Sequence, residues 1–413
     1  MESVETGECL WLVTSGHVFG IRVEKLQELG KNEVQLRHWK SNLPPPPFDF
    51  FIKLPQGDIT NSFLFHSNLF FAGGPPASST NIYQLSYLGG TTLAITDAVA
   101  AGTVPPPPTL LYDRCYVANI QGDVYLLVHD SPVYLVERKM GFWVLRSGSK
   151  EWHPLPLPPS ILRSYSYSES TTYAWWHWHC LVWKDKLFLE VDADPETITY
   201  PRKIIFYVYD PQADDHSWHQ LKEKLPFSSC EDGYSHVSIM AVSSLGDVGN
   251  CSVAMTWSME DGPPSYKRTV KIHALMVDNQ DYCIRRRQCL EEACEAIIPS
   301  SFNADHTNVK FVDLGKGKVC VLIVGFTKGY PMLCVLVLGL ALLQGGEQEH
   351  QGQRFLSVEV LVNQVYDMKA CQEDMYLRLV PCSSFLYSFS KGMPTQTCLL
   401  PRSHVSNEKA EAS

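Results

Sequence analysis

No Cys-x-x-Cys pair occurs among the thirteen cysteines of this 413-residue chain. That removes the usual zinc-ribbon and thioredoxin-like arrangements. The cysteines are odd in number and scattered, and several sit inside apolar runs, as Cys320 does between Val319 and Val321. A reduced thiol behaves there as a small hydrophobe, so a reducing compartment, cytoplasmic or nuclear, is expected rather than a disulfide framework. Membrane-length apolar runs are also missing. The longest, 331–343, is about 13 residues against the about 20 that a helix needs to span, and it is read as two buried strands. The first residues, Met1-Glu2-Ser3-Val4-Glu5, lack the basic and apolar regions of a secretory signal.

Positive charge is scarce too. Lys and Arg total 34 against 44 Asp and Glu, for a net charge of −10. Nucleic acid is therefore not an expected partner, since phosphate binding needs a basic face. The one compact basic run, Arg285-Arg286-Arg287, is read as a solvated strand edge. There is no Gly-x-Ser-x-Gly elbow, no Gly-Lys-Ser/Thr phosphate loop and no His-Glu-x-x-His. Gly315-Lys316-Gly317-Lys318 joins two apolar strands and reads as a hairpin turn. Helical periodicity is nearly absent. The best candidate, 287–297, falls where an outer strand is expected and is read as a loop with one helical turn.

What is abundant is a repeated phrase: an apolar strand, a Trp, then a Leu-Pro cluster. It appears at Trp39 with Leu43-Pro44, at Trp152 with Leu155-Pro156, and at Trp218 with Leu225-Pro226. A fourth copy has no Trp but keeps the run Pro105–Pro108. The resulting units of roughly 55–65 residues are somewhat longer than a common propeller blade. Short β-branched and aromatic runs broken by Gly, Pro, Ser and Asp fill each unit, as in 124–128, 187–191, 204–209 and 270–277. Strand groups without interleaved helices point to radial repetition.

The expected fold is all-β, one propeller over 1–402 with six four-stranded blades, seven being the alternative count. The blades are placed at 8–48 together with 369–402, 58–108, 109–159, 172–227, 234–299 and 306–368. The C-terminal strands complete the first blade, and 403–413 form a frayed tail. Each repeat Trp is expected near the outer strand, packed on the next blade. The Pro clusters serve as turns between blades, since Pro fixes φ and ends pairing; docking sites for Pro-binding domains are the weaker reading because flanking basic residues are missing.

Phe70-Phe71-Ala72-Gly73-Gly74, and Tyr209-Asp210-Pro211 followed by Trp218, resemble the kelch repeat over roughly residues 60–230. The chain is similar to plant kelch-repeat proteins associated with F-boxes, although no F-box is visible ahead of the first strands. The resemblance implies a non-enzymatic, monomeric platform that binds a protein or peptide, as an adaptor or substrate receptor, with no cofactor and no membrane contact. Some kelch-type propellers are enzymes. The copper-oxidase type needs Tyr and His ligands with a Cys-linked Tyr, and the iron-dependent type needs a Glu-x-x-x-Asp-x-x-x-His run, which is absent here.

Candidate binding residues are Tyr173, Trp175, His177 and His179, from the sequence Tyr-Ala-Trp-Trp-His-Trp-His-Cys, with Tyr234 and His236. They are placed at the channel mouth, and a second surface is placed on the long loops 192–202 and 259–267. On a strand His177 and His179 share a face, so they are the first residues to test for a metal, but no third ligand stands at a diagnostic spacing. A metal-dependent or small-molecule-processing propeller is therefore the alternative function.

Overall fold

Strand formation follows the apolar alternation closely. In Asp123–Val128, every residue after the first is buried, as expected for a strand sandwiched between two layers. The computed structural model describes residues 8–13, 17–29, 48–53, 59–66, 68–73, 82–88, 92–108, 115–128, 141–159, 178–192, 204–221, 239–261, 268–297, 302–327, 330–343, 354–368 and 383–388.

Strands β1 (Glu8–Val13), β2 (His17–Arg22) and β3 (Phe50–Lys53) begin the first sheet. The second contains β4 (Ile59–Phe65), β5 (Asn68–Gly73), β6 (Ile82–Leu88) and β7 (Thr92–Asp97). The third contains β8 (Cys115–Ile120), β9 (Asp123–Val128), β10 (Gly141–Leu145) and β11 (Trp152–Leu155). The fourth is β12 (Trp178–Trp183), β13 (Lys186–Asp192), β14 (Ile204–Tyr209) and β15 (Trp218–Gln220). The fifth has β16 (Met240–Ala241), β17 (Asp247–Val248), β18 (Cys251–Asp261), β19 (Arg268–Asp278) and β20 (Ile284–Cys289). The sixth is β21 (Phe302–Gly315), β22 (Lys318–Thr327), β23 (Tyr330–Leu342) and β24 (Leu356–Asp367). A last strand, β25 (Ser383–Ser388), pairs antiparallel with β1 from Glu8↔Ser388 to Val13↔Ser383.

The protein is a single all-β propeller. Five blades are each cut from one continuous stretch of chain. The expected six or seven blades are therefore corrected to five; a further four-stranded sheet is composite, pairing β1, β2 and β3 with β25. The fifth sheet carries five strands instead of four, because β16 and β17 pair with successive parts of the long β18.

Apolar cores lie between neighbouring sheets. Phe70 and Ile82 of the second sheet meet Val124 and Leu126 of the third. Tyr125 and Phe142 meet Leu189, Tyr209 and Trp218 of the fourth. The fourth meets the fifth at Phe188 and Leu275, and the fifth meets the sixth at Met255 and Leu336. The sixth then packs on the first through Leu322, Val335, Leu10 and Phe19. Burying each such side chain contributes about 1.5–3 kcal/mol.

Trp152 and Trp218 start outer strands β11 and β15 as expected, but they pack on the preceding blade and not on the next one. The Trp218 indole Nε1 donates to the Pro156 carbonyl (3.0 Å), and that of Trp152 donates to the Pro105 carbonyl (3.4 Å). Each Trp thus ties its own blade to the Pro turn leaving the previous one.

Three local readings are corrected. Residues 331–343 are not two strands: β23 is one strand of thirteen residues. The stretch 287–297 is not a loop, since β20 continues to Cys289 and a seven-residue helix, Glu291–Ile297, follows. An unexpected helix, Val23–Leu29, follows β2 and buries Leu26 completely. Asp49 anchors its start, accepting from the Arg22 backbone N–H (2.8 Å) and the Lys25 ammonium (3.1 Å).

Candidate functional site

Antiparallel order gives every sheet two ends. At one end are the connections from the first strand to the second and from the third to the fourth. The remaining connections, including those between sheets, leave the other end. Most connections at the first end are short turns, the exception being 343–355 between β23 and β24. β4 closes on β5 between Phe65 and Asn68, β8 on β9 through Gln121 and Gly122, β12 on β13 through Lys184 and Asp185, and β21 on β22 through Lys316 and Gly317. His66, Gln121, Lys184, Asp185 and Lys316 all adopt positive φ there, which lets a two-residue hairpin follow the strand twist.

These turns are tied to one another around the ring. The Gly148 N–H donates to His66 Nε2 (3.2 Å). Gln121 donates to Asp185 (3.0 Å) and accepts from Gln212 (2.7 Å). The Lys184 ammonium bonds both carboxylate oxygens of Asp247 (2.8 and 2.7 Å). The Ser244 backbone N–H and hydroxyl both reach Asp313 (2.9 and 2.7 Å), and the Gly317 N–H donates to Ser244 Oγ (3.2 Å). The Lys184 ammonium, with Ser252 behind it, holds the Asp247 carboxyl below its ordinary range. Partial burial pushes Asp210 upward, but the Lys186 ammonium at 2.8 Å and the Gln212 N–H outweigh it, leaving the carboxyl low. From the second sheet to the sixth, this end is a belt of hydrogen-bonded polar groups.

Of the belt residues, only Asp210 and Gly317, the latter in the hairpin turn 315–318, stand out in the sequence. Partners in the belt stand one repeat away: 64 residues for Gln121 and Asp185, 63 for Lys184 and Asp247, 69 for Ser244 and Asp313. Pairing polar turn residues at that step was the available signal.

Of the expected binding residues only His179 is described, and it lies near the opposite end. β12 begins at Trp178 beside Val191, one residue from where β13 ends and β14 starts, at Asp192 opposite Ile204. The connections 156–177 and 193–203 therefore leave the fourth sheet at the same end. In the fifth sheet β18 runs past the pairing Met240↔Met255 to Asp261, opposite Arg268, so 262–267 and the chain entering β16 share that end as well. Tyr173, Trp175, His177, Tyr234 and His236 lie outside the described residues, as do Trp39 and Gly74 of the repeat pattern. Gly73 ends β5, and Tyr209 and Trp218 are in the core between the third and fourth sheets. His179 is the second residue of β12, where the register sets it opposite Glu190, a carboxylate only 6% exposed.

Two buried polar features lie in the blades. His273 is buried in β19 and its Nε2 is 2.9 Å from the Ser258 hydroxyl, while Nδ1 has no hydrogen-bond partner. Burial, then the Arg287 and Lys271 charges, lowers its imidazolium to about 4. At neutral pH it is an uncharged ring. Tyr366 meets Leu10, Phe19, Leu322 and Val335 at a small apolar cavity between the sixth and first sheets, with its hydroxyl unpartnered. Among the described residues, no group of three or more His, Cys, Asp or Glu side chains is placed to hold a metal ion.

No family model matches the chain, and no curated protein matches it. Solved structures do resemble it. The α-L-arabinofuranosidase Arb93A from Fusarium graminearum is 10% identical, covers 75% of this chain and 92% of its own, and gives a TM-score of 0.36. The Bombyx mori GH32 β-fructofuranosidase BmSUC1 is 14% identical over 69% of this chain and 61% of its own, with a TM-score of 0.33. The N-terminal domain of Nup159 is 13% identical over 79% and 83%, with a TM-score of 0.31.

Proposed function

We propose that this chain is a divergent kelch-type propeller that holds a protein or peptide partner without catalysing a reaction. One observation carries the reading: the two ends of the sheets are built differently. One end carries mostly short turns, several of which bond the neighbouring sheet. The other releases the connections that contain Tyr173, Trp175, His177, Tyr234 and His236, together with 193–203 and 262–267. A scaffold that is tied down at one end and carries aromatic-rich connections at the other suits recognition, because loops read a partner best when rigid elements position them. Tyr, Trp and His supply large contact area with a polar tip, the usual anchors of protein interfaces. The net charge of −10 argues against a nucleic-acid partner. In this proposal the chain works as a monomeric adaptor or substrate receptor in the cytoplasm or nucleus.

The test is site-specific photocrosslinking in cells. A photoreactive residue at Trp175 or Tyr234 should yield one recurrent protein adduct, and the same residue at Gln212 or Asp247 should not. The same adduct from both ends, or none from the first pair, rejects the proposal.

A second reading, a metal-dependent propeller, is favoured by the pairing of His179 with buried Glu190, two residues after His177. Stoichiometric transition metal in the purified chain, lost on His177→Ala/His179→Ala substitution, would establish it in place of the first.

A further inference from the structure

Cys289 closes β20, and Cys294 follows within the helix Glu291–Ile297. Their Sγ atoms are 4.0 Å apart. The backbone on both sides of the pair is held. Cys289 is paired with His273, the Leu290 N–H donates to the Ile272 carbonyl (2.9 Å), and the Cys294 N–H donates to the Leu290 carbonyl (2.9 Å). Cys294 Sγ also accepts from the Ile272 N–H (3.2 Å), so its side chain points back at the strand. Both thiols are partly exposed, whereas Cys320 and Cys334 are buried in the sixth sheet.

We propose that Cys289 and Cys294 form a modification site, a dithiol that peroxide converts into a reversible disulfide. The two sulfurs need to close by about 2 Å to reach bonding distance, which rotation about the side chains supplies while the backbone stays pinned. Burial, relieved in part by the Ile272 N–H and reinforced by Cys289, pushes the Cys294 thiol up to about 11. Cys294 is therefore a protonated thiol at neutral pH, and Cys289 takes the first step. Its thiolate attacks one peroxide oxygen, the O–O bond breaks, and a sulfenic acid forms with release of water once the departing hydroxide is protonated. The Cys294 sulfur then attacks the sulfenic sulfur, the S–O bond breaks, and the hydroxyl leaves with the thiol proton as a second water. Two thiols are oxidised and one peroxide is reduced to two waters.

The link lies at a joint between blades. Leu290 and Ala293 are fully buried in the core shared by the fifth and sixth sheets, and Glu291 and Glu292 face Arg354 at the start of β24 (3.8 and 2.7 Å). Oxidation would fasten this helix to β20 and stiffen the joint.

The full-length reduced chain is titrated with hydrogen peroxide, alkylated under denaturing conditions and digested with trypsin. One fragment, 288–310, contains both cysteines and no others. The expected product is that fragment lighter by two hydrogens and unalkylated, restored to the doubly alkylated form by dithiothreitol. A Cys294→Ser chain should lose the linkage and accumulate oxygen adducts on Cys289. The proposal is overturned if the fragment stays doubly alkylated while other cysteines oxidise, if Cys289 joins a different cysteine or is only over-oxidised, or if the linkage appears only when the chain is unfolded before oxidation.

Discussion

The indole N–H of Trp218 reaches the carbonyl oxygen of Pro156 across 3.0 Å, from the outer strand of one blade to the turn that leaves the blade before it. The same ring lies 5.3 Å from Phe142 and 5.4 Å from Tyr209, centroid to centroid. One side chain therefore satisfies a turn carbonyl and fills the core between two sheets.

Trp218→Phe keeps most of the packing and removes the donor, so it should cost about 1 kcal/mol. Trp218→Ala removes both and should cost about 3–5 kcal/mol. Denaturant unfolding of the two variants separates the contributions. Trp152→Phe should cost less than Trp218→Phe, because its bond to Pro105 is longer.

Gly317 has φ +69, and a Cβ there would meet the Leu340 carbonyl oxygen at 2.5 Å. The same peptide accepts from the Leu340 N–H (2.7 Å). Gly317→Ala should lower stability by more than about 1 kcal/mol through conformation alone. Ala at Gly148, which also has positive φ but open space around it, should cost only the conformational part. Thermal melts of the pair check the difference.

His273 makes stability depend on pH. Its folded-state value, about 4, lies below the ordinary 6.5, so the unfolded chain binds the proton more readily. The neutral ring imposes no penalty above pH 6.5, and stability falls as pH drops from 6.5 toward 4. The full loss is on the order of 3 kcal/mol. A His273→Gln chain should show a flatter profile over that window when unfolding free energy is measured against pH.

Gln288 bridges the fifth and sixth sheets. Its amide donates to the Leu356 carbonyl (3.0 Å), and its carbonyl oxygen accepts from the Phe355 and Leu356 N–H groups (2.9 and 3.0 Å). Gln288→Ala leaves those buried groups unsatisfied and should cost roughly 2–4 kcal/mol. Hydrogen exchange at Phe355 and Leu356 should quicken in the same variant, well beyond any change at Val124.

Much of this architecture was legible because its signals are local. The run Ile204–Tyr209 and the Trp at 218 mark a strand pair without reference to anything distant. β23 was harder, because thirteen apolar residues exceed an ordinary strand. It serves two cores at once, with Met332, Cys334, Leu336 and Leu338 toward the fifth sheet and Leu333, Val335 and Val337 toward the first. Its pairing with β24 shifts register at Val337/Leu338, so a bulge lets one strand run on where two were expected. The helix Val23–Leu29 spans only two turns, too short for periodicity to declare itself, and it forms because Leu26 finds a core built from other sheets. The polar belt was not legible, since Gln121 and Asp185 meet only once the third and fourth sheets pack together.

The pairing of β25 with β1 also sets an order of events during synthesis. β1 emerges long before β25, and at about 5–20 residues per second the two are separated by on the order of half a minute. Throughout that interval the inner edge of β1 has exposed amide and carbonyl groups and no strand beside it. A nascent chain that is slow to finish is therefore open to capture by a chaperone, or by the corresponding edge of a neighbour on the same message.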